Sequence, residues 1–166
     1  MKPGDHPDFF RFPAPAGRSR ESSIRLDGEG RFWHDGRLVE HGNMSAAFAR
    51  WIDIHPDDGR YVLTNGYDWT YFSVDDVPFF VRSVRVEPAQ LMLQLNDGSE
   101  EALEPRSLKL GARDALYLRV KGGKFAARFT PQAQLQLAPC LEEGPDGSVC
   151  LVVGEDRYAI GSQDST

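Results

Sequence analysis

Apolar and polar side chains alternate along most of the chain, and the alternation predicts short strands joined by tight turns. Ile24 and Leu26, followed by Arg31-Phe32-Trp33, flank the turn Asp27-Gly28-Glu29-Gly30. His34-Asp35-Gly36 makes a second turn before Leu38-Val39. The period then changes. Met44, Phe48, Trp51 and Ile52 fall at i, i+4, i+7 and i+8, the stripe of a helix, with Asn43 or Ser45 as its cap and His55-Pro56 as its end. Strands return with Tyr61–Thr64 and Trp69–Val74 around Asn65-Gly66, and Asp75-Asp76-Val77-Pro78 interrupts before Phe79-Phe80-Val81. Leu91–Leu95 and a polar strand reaching Leu103 flank Asn96-Asp97-Gly98 as a further hairpin.

The sharpest local prediction is Ala115 to Thr130. Gly122-Gly123 reads as a two-residue hairpin turn that pairs Lys121 with Lys124 and thereby sets the register. Val120 then faces Phe125, Leu118 faces Ala127 and Leu116 faces Phe129, an entirely apolar face. The other face carries Tyr117 opposite Arg128 and Arg119 opposite Ala126. Thr130-Pro131 suits a helix start, although the alternation of Ala133, Leu135 and Leu137 equally suits a strand. Residues 131–141 therefore stay open between the two, leaning to helix. Val149 to Ile160 reads as a closing hairpin around Gly154-Glu155-Asp156.

These elements predict an α+β fold of two similar small halves, mostly antiparallel sheet with about one helix each. Residues 1–22, with Pro3, Pro7, Pro13 and Pro15, form an extended arm tethered by Phe9, Phe10 and Phe12. Residues 23–83 form the N-terminal half and 84–161 the C-terminal half, with 162–166 a frayed tail. Leu26-Asp27-Gly28 and Leu95-Asn96-Asp97-Gly98 open the two halves as a faint internal echo.

Composition and charge restrict the function more than the pattern does. The 166 residues are 40% hydrophobic and 27% charged, and surface scaling lets a chain of this size bury roughly 70% of its surface. No apolar run reaches the length of a membrane span, and the proline-broken N-terminus is not a secretory signal. Nineteen Lys and Arg against 25 Asp and Glu leave a net charge of −6, which argues against nucleic acid or an anionic membrane as partner. The excess is uneven: residues 78–138 carry nine bases and six acids and are locally cationic. Cys140 and Cys150 are too few for a disulfide framework or a zinc site and read as free thiols in a reducing cytoplasm.

The order Ile24, Asp27-Gly28, Trp33-His34-Asp35-Gly36, an amphipathic helix, Asp58-Gly59-Arg60-Tyr61-Val62-Leu63-Thr64 and Val74-Asp75-Asp76-Val77-Pro78-Phe79 resembles an uncharacterised, mainly proteobacterial family. Leu116-Tyr117-Leu118-Arg119-Val120, Ala127-Arg128-Phe129 and Tyr158-Ala159-Ile160-Gly161 extend the likeness over residues 24–161. The chain departs from the pattern at Asn65-Gly66 and Gly30, both in turns. The resemblance implies a duplicated core whose C-terminal half looks like a pleckstrin-homology domain, and a binding or signalling role with a nucleotide-like ligand at the junction. It implies no catalytic residues.

Candidate chemistry is sparse. Asp75-Asp76 is an acid pair in an apolar setting, suited to metal or acid–base work, yet Asp-Asp-Val-Pro is equally an ordinary turn. His34, His41 and His55 have no metal-ligand spacing. No serine sits in a nucleophile elbow and no glycine cluster reads as a phosphate loop. The cationic face of the Gly122-Gly123 hairpin is the best candidate. Tyr117 offers a ring, and Arg119 and Arg128 offer forks for an anion. The leading expectation is a non-enzymatic module, without metal or cofactor, that binds an anionic nucleotide-like molecule in the cleft between halves. Arg119 and Arg128 would hold the anion and Tyr117 the ring, while Trp33, His34, Asp75 and Asp76 would line the opposite wall. Ligand-stabilised docking of the halves would present a surface to a signalling partner. A protein–protein adaptor without ligand is the alternative, and a small enzyme using Asp75, Asp76 and His34 the third reading.

Overall fold

The structure, a computed structural model, describes residues 1–163. It is α+β, with two α-helices among the described residues and several mostly antiparallel sheets. The chain divides into two compact units, Met1–Pro78 and Phe79–Thr166. No helix among the described residues is long and apolar enough to cross a membrane.

In the first unit, β1 (Arg25–Leu26), β2 (Phe32–His34) and β3 (Arg37–Leu38) form a small meander. Helix α1 (Gly42–Arg50) follows, then β4 (Ile52–Ile54), β5 (Tyr61–Thr64), β6 (Trp69–Tyr71) and β7 (Ser73–Val74). One sheet has the order β3-β2-β1-β7, with β7 parallel to β1, and the other is the meander β4-β5-β6. The turns at Asp27–Gly30, Asp35-Gly36 and Asn65-Gly66 lie where the pattern puts them.

The helix differs from expectation. It starts after His41, which makes no side-chain cap, and it stops at Arg50 rather than running to His55. Ile52-Asp53-Ile54 instead pairs antiparallel with Tyr61-Val62-Leu63. Two β-branched residues at alternate positions suit a pleated strand. A ladder with β5 supplies backbone bonds that an isolated extra helical turn would lack. The arm is likewise not extended throughout: residues 3–5 and 9–11 form 3-10 turns. Phe9 is buried with Val62 and Trp69, Phe10 packs against that cluster, and Phe12 is exposed.

Alternation gives the β4-β5-β6 sheet two apolar faces. The register places Ile52, Leu63 and Thr70 in line, and Asp53, Val62 and Tyr71 in the neighbouring line. Residues 1–12 lie over the Val62 line. Phe32, Phe48 and Phe72 form an aromatic core that continues through Trp51 and Tyr61, with Phe32 and Phe48 edge-on at 5.4 Å.

The second unit starts with β8 (Phe79–Val86), β9 (Leu91–Leu95), β10 (Glu100–Ala102) and β11 (Lys109–Leu110). The hairpin β12 (Leu116–Val120) and β13 (Phe125–Phe129) leads into α2 (Pro131–Leu137). Then come β14 (Leu141–Glu143), β15 (Val149–Val153), β16 (Asp156–Ala159) and β17 (Gly161–Ser162). The main sheet has the order β10-β9-β8-β13-β12-β11-β17, and β14-β15-β16 forms a second. Residues 131–137 are helical, with Thr130 Oγ1 accepting from the Ala133 amide and Pro131 in the first turn. A 3-10 turn through Cys140 then hands the chain to β14. Ser162 pairs in β17, while residues 164–166 of the tail expected to fray lie outside the described residues.

The β12–β13 hairpin has the predicted register, Tyr117 with Arg128, Leu118 with Ala127, Arg119 with Ala126 and Val120 with Phe125. Leu116, Leu118, Val120, Phe125, Ala127 and Phe129 are all buried. The turn holds Lys121, Gly122 and Gly123 at φ of 58°, 69° and 86°. Two glycines adopt that left-handed backbone without a Cβ clash, which is why the tight turn forms here.

Candidate functional site

The seven residues singled out from sequence fall into separate groups. In the first unit, Trp33 of β2 lies opposite Arg25 of β1, whose guanidinium is 5.4 Å from the indole and pairs with Asp75. Trp33 and Asp75 are thus linked through Arg25. The indole Nε1 donates to Asp27 Oδ2 at 2.8 Å, and Asp27 also accepts from the amides of Glu29 and Arg31 and from Arg31 Nε, each at 2.9 Å. Burial of Asp27 pushes its carboxyl up, but the bonds from Trp33, the two amides and the Arg31 guanidinium outweigh it and hold the group down at about 2. This buried carboxylate pins its own turn.

His34 is exposed, 3.7 Å from Asp35, in a surface hollow shared with Arg37, Leu38 and Val39. Asp76 is exposed and close to Gly28.

In the second unit, Tyr117 and Arg128 sit side by side, with the guanidinium 5.6 Å from the ring centre. Both are half-buried and have further partners. The Tyr117 ring requires Gly111. A Cβ there would lie 2.6 Å from ring carbon Cε2 and 2.6 Å from Gln163 Oε1, so any side chain displaces the ring. Arg119 is turned to its own hairpin instead. Its Nε and Nη2 donate to the Gly123 carbonyl at 3.1 and 2.9 Å, and Nη2 donates to that of Lys124 at 3.1 Å. It braces the turn.

Arg128 also lines a cavity of about 500 Å³. Its walls are mostly apolar, from Ala115, Phe129, Pro131, Leu135, Ala138 and Leu141, and its polar members are Arg113, Asp114, Arg128 and Gln134. Leu135 is 76% exposed at its edge. Arg113 and Asp114 stand at φ of 58° and 61°, two consecutive non-glycine residues in the left-handed region. Each is strained by roughly 1–2 kcal/mol, and Gln134 Nε2 donating to the Asp114 carbonyl at 2.7 Å ties that turn to α2. An apolar hollow of this size with a few convergent polar groups is the usual form of a small-molecule site.

Sequence reasoning found Tyr117 and Arg128 through the hairpin register. It missed Arg113, Gln134 and Leu135 as their neighbours. No glycine marks the left-handed turn at 113–114, and only the tertiary position of α2 brings Gln134 to it.

No family model and no curated protein matches the sequence. Two solved structures share the fold. One is a DUF1285 family protein from Silicibacter pomeroyi DSS-3, at a TM-score of 0.67 and 16% identity over 93% of each chain. The other is a DUF1285 family protein from Shewanella baltica OS155, at a TM-score of 0.58 and 15% identity over 73% of this chain and 94% of that one. The structural neighbours are therefore proteins of a domain-of-unknown-function family, in keeping with the uncharacterised family that the residue pattern resembles.

Proposed function

We propose that the protein is a non-enzymatic ligand-binding module and that its ligand is an anionic, nucleotide-like small molecule held in the second unit beside Arg128. The observation that carries this reading is the position of Arg128, at once on the Tyr117 ring and in the wall of the apolar cavity of about 500 Å³. An arginine fork gives a carboxylate or phosphate two directed hydrogen bonds. Phe129, Pro131 and Leu141 offer the body of the ligand an apolar seat. Arg113 adds a second positive charge on the rim, and the ligand's anionic group competes with the partners Arg128 already has. Binding orders the strained turn at 113–114 against α2, and that ordered surface is what a signalling partner reads.

Arg119 enters this reading as the brace of the hairpin turn, not as an anion ligand. Trp33 and Asp75 are engaged with Arg25 and Asp27 in the first unit and stay outside it.

The test is a thermal-shift scan against nucleotides, cyclic dinucleotides and aromatic carboxylates. A ligand at 100 times its Kd adds about 2.7 kcal/mol, or roughly 5–11 °C for a chain of this size. The expected result is a shift from one compound class that Arg128→Ala abolishes. A shift that survives Arg128→Ala would remove the proposed site.

A further inference from the structure

Residues 1–12 are attached to the β4-β5-β6 sheet mainly by side chains. Phe9 is buried on Val62 and Trp69, and the Phe10 ring lies edge-on to Trp69 at 5.6 Å. Arg11 reaches both carboxylate oxygens of Asp57, with Nη2 2.7 Å from Oδ1 and Nε 3.0 Å from Oδ2. Backbone ties are few: the Gly4 amide donates to the Gly66 carbonyl at 2.7 Å, the Phe10 carbonyl accepts from His55, and Arg20 Nη2 donates to the Phe12 and Pro13 carbonyls at 3.2 and 3.0 Å. His55 Nδ1 accepts the Asp57 amide, so Nε2 carries the proton given to Phe10. The connection that follows, residues 13–19, is almost wholly exposed and includes Pro13, Pro15 and Gly17. Among the described residues its one backbone–backbone hydrogen bond is internal, from the Arg18 amide to the Pro15 carbonyl.

The surface under this strap is built to receive arginine and aromatic groups. Trp69, Tyr71 and His55 present rings, with Arg20 4.4 Å above Trp69 and Arg60 3.7 Å above Tyr71. Asp57, Asp58 and Asp68 supply the charge. Arg11 holds the Asp57 carboxyl below the ordinary range, and the Tyr71 hydroxyl does the same for Asp58. Burial pushes Asp68 up, but its bond to Arg20 prevents the rise and lowers it. All three carboxylates are therefore ionised at neutral pH, Asp68 paired with Arg20 and Asp57 with the strap's own Arg11.

The strap fills this surface imperfectly. Trp69 is 6% exposed, yet its Nε1 has no hydrogen-bond partner, and neither has Nε of Arg20, the residue stacked on the same ring. Buried donors are nearly always paired in folded proteins, and an unpaired donor on a ring packed against Phe9 and Phe10 is a position that a better occupant would satisfy.

We propose that the β4-β5-β6 face is a docking site for a short partner peptide that carries two adjacent aromatic side chains followed by arginine on a 3-10 turn like that of residues 9–11, and that residues 1–12 occupy it in cis until the partner displaces them. The partner's arginine takes Asp57, its aromatics take the Phe9 and Phe10 positions, and one of its backbone carbonyls accepts the Trp69 indole N–H. The strap thus acts as an autoinhibitory occupant.

The probe is a dye-labelled peptide with the sequence of residues 1–12, titrated into the 166-residue chain. In Arg11→Glu the resident strap is repelled by Asp57, and the peptide should bind at least tenfold more tightly than to wild type. Adding Asp57→Arg restores the cis pair with charges exchanged, repels the peptide and should reverse the gain. Equal affinities for all three chains, or no binding to any, would make the strap a permanent part of the fold and overturn the proposal. Hydrogen exchange on wild type tests the same point without substitution. The amides of Arg11 and Phe12 should exchange at least 100-fold faster than those of Val62 and Leu63, and equal protection would overturn detachment. A concentration-dependent dimer abolished by Arg11→Glu would assign the surface to the strap of a second copy instead and would overturn the partner peptide.

Discussion

The two units reach order by different means. In the first, strands run two to four residues, and side chains far apart in sequence hold them in place: Arg20 on Asp68, Arg25 on Asp75, Arg60 forked on Glu21. Aromatic rings fill its core. In the second, β8 runs eight residues, and the sheet faces Leu91, Leu93, Leu95, Leu116, Leu118 and Val120 inward with almost no exposure. Short strands supply few ladder bonds, so their positions depend on side-chain ties. Long alternating strands lock register through the ladder itself, since a one-residue slip would expose the whole apolar set. The unit that depends on side chains is also the one whose covering segment can lift away.

Removing packing should separate the units most sharply. Leu118→Ala in the second unit leaves a cavity in a closed core and should cost about 3 kcal/mol, a fall in Tm of roughly 6–12 °C. Phe9→Ala in the first unit deletes a larger buried side chain, but from a strap that can detach, so its expected cost is less, about 1–2 kcal/mol. Chemical denaturation of both variants checks the order. A Phe9→Ala loss equal to or above that of Leu118→Ala would make the strap as integral as the sheet and erase the contrast.

Each unit also buries a carboxylate, and the two act over different ranges. Asp27 binds groups only two to six residues away, while Asp97 accepts from the Ser99 amide and hydroxyl at 2.9 and 2.6 Å and from Lys121 Nζ, 24 residues on, at 2.7 Å. Burial raises the Asp97 carboxyl, and the bonds from Lys121 and Ser99 more than reverse it. Both folded-state values lie below the ordinary carboxylate value. Each group's stabilisation is therefore present above about pH 4 and is lost as pH falls toward the folded value, near 2 for Asp27. For Asp27 the shift corresponds to about 2 kcal/mol. Asp27→Asn should remove about that much at pH 7 and flatten the decline in stability between pH 4 and pH 2, measured by denaturation across pH. Asp97→Asn should cost less, about 1 kcal/mol, and should speed amide exchange in both the 95–99 and 121–124 turns. Effects confined to one turn would show that the Lys121 bridge does not couple them.

How much of this was readable beforehand follows the same division. The β12–β13 register was fixed by one glycine pair and six apolar residues, all local, and the paired residues came out as expected. The hairpins at Asp27–Gly30, Asn65-Gly66 and Gly154-Glu155 were equally local. The fate of Ile52–Ile54 was not, because its helical spacing competes with a ladder to β5 that only the folded unit provides. Tyr117 and Arg128 were legible as a pair. The cavity beside them was not, since Arg113, Gln134 and Leu141 approach it from three different elements. The pairing of Arg25 with Asp75 escaped for the same reason, as 50 residues separate them.

The smallest effect on stability is the most informative about function. Arg119 and Arg128 project from the same hairpin face, yet one supports the turn and the other the cavity. Arg119→Ala removes the hydrogen bonds to the Gly123 and Lys124 carbonyls at an exposed site and should cost roughly 0.5–1 kcal/mol. Arg128→Ala should change stability by no more than about that, since a half-buried surface contact is replaced by water. Ligand response should divide them in the opposite sense. The thermal shift from an anionic compound should disappear in Arg128→Ala and persist in Arg119→Ala. If both variants lose it, the hairpin face binds as one cationic surface and the cavity is incidental. If neither does, the anion is held elsewhere, and the cis-occupied face of the first unit becomes the better place to look for what this protein recognises.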